Sequence, residues 1–377
     1  MSPDSAGYSV ALEQICTETI GPDAPNVDRH GTFPERGLNA LRAAGLMGAV
    51  SAPEVGGLGL GFRGAAAIIE RLAQECGSTA MVTCMHYCGT AVIEAFGPRA
   101  IREAAASGAH LSTLAFSEAG SRSHFWAPVS TAKADGERMI LDARKSWVTS
   151  ASKASAYVWS SQPVQPSGGM STLWLVPADS PGIRIEGSFD GLGLRGNDSS
   201  PVSADGVSVP ATAMLGGDGK GFEIMMGTVL PMFNVLNAAC SIGLMEATVQ
   251  RTAQHASGTR YAHLDSALAD LPTIRGHLAR MRIRTDMART LLNDTISALE
   301  TGRADTMLRV LSCKAAAGDA ATEVLATAMR VCGGAAYRKD IAVERYFRDA
   351  QAAGVMGPTT DVLYDFVGKA VCGMNLF

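Results

Sequence analysis

The run STAMVTCMHYCGTAVI, residues 78 to 93, places a single histidine among apolar side chains. Imidazole titrates close to neutrality, so His86 could move a proton or donate a hydrogen bond to a reacting group. On a helix bordering a cavity it is a catalytic candidate; on one facing only other helices it is a core residue. Both fit the sequence. Cys84 and Cys88 flank it at i−2 and i+2 and point away from its helical face, so a zinc site from these residues is geometrically poor. Gly57, Gly59 and Gly61 lie in SAPEVGGLGLGF. Their spacing is not G-x-G-x-x-G, no strand precedes them and no ribose-binding acid follows, so this stretch reads as a loop. Asp361 stands one turn into a helix opened by Gly357-Pro358-Thr359, where an acid complements the helix dipole.

These residues sit in a chain of 377, long enough for two or three packed layers. Hydrophobic residues make up 47% and charged residues 18%, which suggests surface buried between subunits. The net charge is −4 and no basic block exists, so no nucleic acid is expected as partner. No apolar run approaches the roughly 20 residues that span a bilayer, so no membrane partner is expected either. The first residues lack a basic region followed by an apolar core, so no signal peptide is expected. The eight scattered cysteines read as reduced thiols of a cytoplasmic protein.

Three segments follow from the patterning. Residues 1–110 are Ala-rich with apolar positions three and four apart, which predicts an N-terminal helical domain. Residues 111–215 hold short β-rich runs broken by Gly, Pro, Asp and Ser with no intervening helices, which predicts an antiparallel β-domain. Residues 216–377 are helical again: a long helix kinked at Pro231, long helices over 272–301 and 303–331, a short one at VERYFRDA and a last one over 358–373. The fold class is α+β.

Four ordered stretches carry a family likeness. LAFSEAGSRSHF, KSWVTSASKASAYV, GLGLRGNDSSPVSADGVSVPATAMLGGDGKGF and RVCGGAAYRKDIAVERYFRDA resemble, in that order, motifs of the acyl-CoA dehydrogenase superfamily. The resemblance implies FAD held between the β-domain and the C-terminal bundle, in a homodimer or homotetramer. It implies that Phe116 and Ser117 meet the flavin, that Ser123 bonds its pyrophosphate, that Trp147 lies against the ring and that Thr149 bonds near N5. Thr359 falls at the matching cofactor position before the last helix. Arg260 is the candidate for a neighbouring subunit's pyrophosphate, and Gly333 and Gly334 let backbone amides approach the same cofactor. His124 stands where the family has an acid.

In the dehydrogenases a glutamate removes the α-proton of an acyl thioester. One family position for it is Gly357 here; the other falls at Phe233 and Asn234. Both lack a carboxylate. Asp361 is the nearest substitute, about 6 Å further along the helix axis. The same fold hosts flavin monooxygenases, in which reduced flavin meets O2 and no α-proton base is needed. Gly357 with Phe233, Asn234, Asn237 and His86 resembles that branch, with an acyl-CoA-type or aromatic substrate, O2 and a possible flavin reductase as partners. The alternatives are a dehydrogenase with a displaced base at Asp361 and an inactive flavin-fold scaffold.

Overall fold

The protein is described by a computed structural model covering residues 4–165 and 169–376. The first segment is helical. α1 (Asp4–Ile15) runs through a π turn into α2 (Gly21–His30), followed by α3 (Glu35–Ala43), α4 (Gly61–Glu75), α5 (Gly77–Phe96) and α6 (Arg99–Ala106). α4 buries Ala65, Ala66, Ile68, Ile69, Leu72 and Ala73, one stripe at helical spacing, while α5 is small-residued and buried on almost every side. SAPEVGGLGLGF holds one 3-10 turn and is irregular up to Gly61, where α4 begins, and no strand leads into it, as its spacing implies.

The middle segment folds into two four-stranded sheets. The first contains β1 (Ser112–Ala115), β4 (Ala156–Ser161), β5 (Thr172–Pro177) and β8 (Met214–Leu215), in that order. The second orders β2 (Thr131–Asp135), β3 (Arg138–Val148), β7 (Ser200–Pro210) and β6 (Ile183–Ile185). Trp159 and Trp174 of one sheet pack with Leu141, Val202 and Val207 of the other in a shared core. The expected antiparallel domain needs one correction, because β1 runs parallel to β4. The chain leaves β1, builds two strands of the other sheet and returns, so no hairpin forces the antiparallel sense.

The last segment is a bundle of α7 (Gly221–Ile224), α8 (Leu230–Gly258), α9 (Pro272–Thr301), α10 (Thr306–Cys332), α11 (Val343–Val355) and α12 (Thr360–Val371), with a small hairpin of β9 (Arg260–Tyr261) and β10 (Ser266–Ala267) after α8. The irregularity expected at Pro231 is a π turn over Met225–Val229, just before it. Proline has no N–H to return to Gly227, so the i→i−4 ladder must be re-spaced there. The expectation that no apolar stretch could reach across a bilayer also needs correcting. Gly221–Gly258 is long and apolar enough, yet 94% of its most apolar window lies inside the protein. It is the central helix of the bundle, packed against α4, α5, α9, α10 and α11, and needs an apolar surface all round.

Candidate functional site

α12 begins where the loop after β1 crosses it. Thr359 caps the helix, its Oγ1 accepting from the Val362 N–H. Its own N–H donates to Ser123 Oγ at 3.0 Å, and the Ser123 hydroxyl donates to Thr359 Oγ1 at 3.3 Å. Gly357 belongs to the same junction: a Cβ there would have the Ser123 backbone as its nearest neighbour, at 3.7 Å. The structure thus brings together Ser123, Gly357 and Thr359, which are far apart in sequence. Free N–H groups at a helix start beside two hydroxyls suit an anion. Ser121 Oγ, in the same loop, is buried with no hydrogen-bond partner. No carboxylate stands in the α11–α12 turn; Asp361 lies beyond it, exposed in the first turn of α12.

The loop is fastened to β3 by a buried ion pair. Lys145 Nζ lies 2.5 Å from Glu118 Oε1 and also donates to Ser160 O and Oγ and to Ser130 Oγ. Glu118 Oε2 accepts from the Val129 and Ser130 N–H groups. Burial alone would raise the Glu118 carboxyl, but the Lys145 charge and these hydrogen bonds hold it below its usual range. Burial pushes Lys145 down to about 8 against the pull of Glu118. Immediately after, the β3–β7 register shifts between Lys145 and Val148. Trp147 sits in that bulge with φ +56° and is 71% exposed, although its neighbours Val148 and Thr149 are buried. An indole held out in this way offers its face to a flat ring. Thr149 Oγ1 pairs with Ser199 Oγ at 3.1 Å, and its carbonyl accepts from Thr113 of β1. Phe116 is buried and stacks on Phe125; Ser117 accepts the Ser146 N–H; His124 packs against Trp126.

His86 is a core residue, which corrects its reading as a cavity histidine. It is fully buried, with Nδ1 accepting from the Ser112 N–H and Nε2 facing Met47 O, both at 3.1 Å. Accepting at Nδ1 leaves the ring proton on Nε2, so both nitrogens are engaged in the neutral form. Burial pushes the imidazole down to about 4. Cys84 and Cys88 are free and buried, and no three His, Cys, Asp or Glu side chains group as metal ligands among the described residues. Asn234 and Asn237 of α8 are buried. The Asn234 amide donates to Val310 O, the Asn237 amide reaches Met356 Sδ, and both Oδ1 atoms lack a partner. Phe233 is buried beside them. Arg260 lies away on the exposed hairpin, paired with Asp265, and Gly333 and Gly334 form an exposed turn after α10.

Three further residues shape the site without having been singled out from sequence. Glu118 and Lys145 are two of them. They stand 27 residues apart, and no local pattern pairs them, because their contact depends on strand register. The third is Lys314 of α10, fully buried, whose Nζ donates to the carbonyls of Ala353, Met356 and Pro358. Its one sequence signal is a lysine within the small apolar run VLSCKAAAG. Asp349 of α11 is also buried; it accepts the Leu194 N–H at 2.6 Å and burial raises it to about 6.

The arrangement matches a known one along nearly the whole chain. Residues 8–108, 113–207 and 219–372 match the N-terminal, middle and C-terminal domain models of acyl-CoA dehydrogenase. The human mitochondrial short-chain specific acyl-CoA dehydrogenase is 29% identical over 93% of this chain and 87% of its own. Butyryl-CoA dehydrogenase from Megasphaera elsdenii superposes with a TM-score of 0.91 at 22% identity, covering 99% of each chain. The prolyl acyl carrier protein oxidase AnaB superposes at 0.89 with 19% identity, covering 98% of this chain and 99% of its own. The chain belongs to the acyl-CoA dehydrogenase superfamily. Its enzymes are flavin-dependent oxidoreductases that use FAD. The residues present fit that cofactor: an outward-held indole at Trp147, an anion-suited helix start at Thr359 with Ser123, and an orphaned hydroxyl at Ser121 in the same loop as Ser123.

Proposed function

We propose that this flavoprotein is an oxygenase acting on an acyl-CoA-type thioester or an aromatic or ring-expanded substrate of secondary metabolism, rather than an α,β-desaturase. The observation that carries this reading is the absence of a carboxylate at the junction of Ser123 with the α11–α12 turn, where Gly357 stands. The alternative positions on α8 hold Phe233 and Asn234. Removing a thioester α-proton calls for a desolvated carboxylate, and losing such a base costs on the order of 10²–10⁴ in rate. Asp361 is exposed and Asp349 is turned to the Leu194 amide, so neither replaces it. The fold is common to a dehydrogenase and an oxidase, so the choice rests on these side chains.

FAD supplies hydride acceptance and, once reduced, reaction with O2. In this reading Ser123 and Thr359 hold its anionic portion, Phe116, Ser117 and Thr149 line the ring, and Trp147 walls one face. Arg260, Gly333 and Gly334 serve the cofactor of a neighbouring subunit in a homodimer or homotetramer. Electrons come from a flavin reductase or a reducing substrate. The free cysteines suit a reducing cytoplasm. His86 has no part in the chemistry, and the Asn234 and Asn237 side-chain oxygens are orphaned polar groups near the start of α8.

The test uses FAD-loaded protein. Under argon, saturated acyl-CoAs should leave the flavin oxidised; with reduced flavin and ¹⁸O2, label should enter the product. Rapid anaerobic bleaching by a saturated acyl-CoA, abolished in Asp361→Asn, would sink the oxygenase reading and restore a dehydrogenase with a displaced base.

A further inference from the structure

Lys314 is a lysine without a carboxylate. Its side chain is fully buried, and its three ammonium protons meet three backbone carbonyls, Ala353 at 3.0 Å, Met356 at 3.0 Å and Pro358 at 2.8 Å. A buried lysine ordinarily pairs with an acid. Of the three, Ala353 belongs to the last turn of α11, while Met356 and Pro358 lie in the turn beyond it. α11 stops at Val355, so its last carbonyls have no following N–H, apart from Ala352, which still takes the Met356 amide. Such carbonyls carry the negative end of the helix dipole. The ammonium satisfies the Ala353 carbonyl at the helix end and, through Met356 and Pro358, ties down the chain on its way to α12. Around Gly318, one turn along α10, the packing is ordinary: a Cβ there would meet Thr360 Oγ1 and Ala353 at 3.6–3.7 Å, normal contact distances. The Phe233 ring lies 5.8 Å from Nζ on the α8 side.

We propose that Lys314 is a positioning residue that fixes the path of the α11–α12 turn, and through it the placing of Gly357 and Thr359 opposite Ser123. The proposal rests on reading that junction as the flavin site. Three donors aimed at three acceptors of one short segment define its course more narrowly than apolar contact could. An apolar side chain of the same length would fill the space and leave the three carbonyls to find water, which the turn could reach only by moving outward.

The experiment compares full-length Lys314→Met, Lys314→Arg and Ser123→Ala with wild type, reading FAD dissociation constants and the absorbance spectrum of the bound flavin. Lys314→Met should weaken FAD by about tenfold and shift the flavin bands. Lys314→Arg, which keeps donors and charge, should recover part of both. Unchanged affinity and spectrum in Lys314→Met, with Ser123→Ala weakened, overturns the positioning role. Unchanged affinity in Ser123→Ala overturns instead the reading of the junction as the flavin site. Should Lys314→Met not fold, hydrogen exchange decides: the Gly357 and Thr359 amides should exchange more slowly in wild type than those of Gly333–Tyr337, and faster in Lys314→Arg than in wild type. Equal rates in either comparison overturn the proposal.

Discussion

Lys145 and Lys314 are both fully buried, yet they solve the same problem in opposite ways. Lys145, between the sheets, has a carboxylate in contact and hydroxyls around it. Lys314, in the bundle, has only main-chain oxygens. Burial lowers Lys314 further, to about 7 against about 8, because no carboxylate opposes the desolvation. The ion pair fastens the loop after β1 to β3, a strand already held in a sheet. The carbonyl clamp holds a turn with no ladder of its own. The proposed cofactor site lies where the two supported segments meet, and in that reading each cation acts on it through backbone rather than by touching it.

Removal of a charge separates the two lysines most widely. Glu118→Gln leaves the Lys145 ammonium buried with neutral partners and should cost about 3–5 kcal/mol of unfolding free energy in denaturant titrations. Lys314→Met removes a charge and leaves no other behind; it should cost about 1–3 kcal/mol, the scale of unpaired buried carbonyls. Were the two losses equal, the carboxylate would not be what separates the two sites.

pH sharpens the same contrast. A lysine whose folded pKa lies below its unfolded value binds fewer protons in the native state between the two. Stability from that group therefore rises with pH across the window, from about 7 for Lys314 and about 8 for Lys145 up to the unfolded value. Glu118, held below its usual range, contributes stability that is present above the unfolded carboxylate value and is lost as pH falls through the folded one. Melting temperatures in Lys314→Met should lose the part of the rise that begins near neutrality and keep the acid limb. The smallest effect belongs to Asp361→Asn. An exposed first-turn acid should change stability by no more than about 0.5 kcal/mol and leave turnover unaltered in steady-state assays.

Much of the fold is written in local pattern. The stripe of α4 and the turn-broken strands of the middle segment follow from local pattern, which depends only on neighbours. The parallel β1–β4 pairing does not, because it is set by where the chain returns. The meeting of Ser123 with Thr359 is legible only through motif likeness, since no spacing links residues so distant. Glu118 and Lys145 become partners only once β3 takes its register. Lys314 is silent in the sequence because its partners are carbonyls, which every residue carries. His86 is ambiguous there because a core and a cavity present the same apolar flanks; only the backbone of Ser112 and Met47, filling both nitrogens, decides between them.

The outward indole at Trp147 has an optical consequence. Trp126, Trp159 and Trp174 are buried, so of the four tryptophans it alone emits from a wet surface. Its emission should lie to the red of the others, and a yellow chromophore laid on its face would drain that emission selectively. The chain thus carries its own fluorescent gauge of how many of its molecules are loaded, readable without any label.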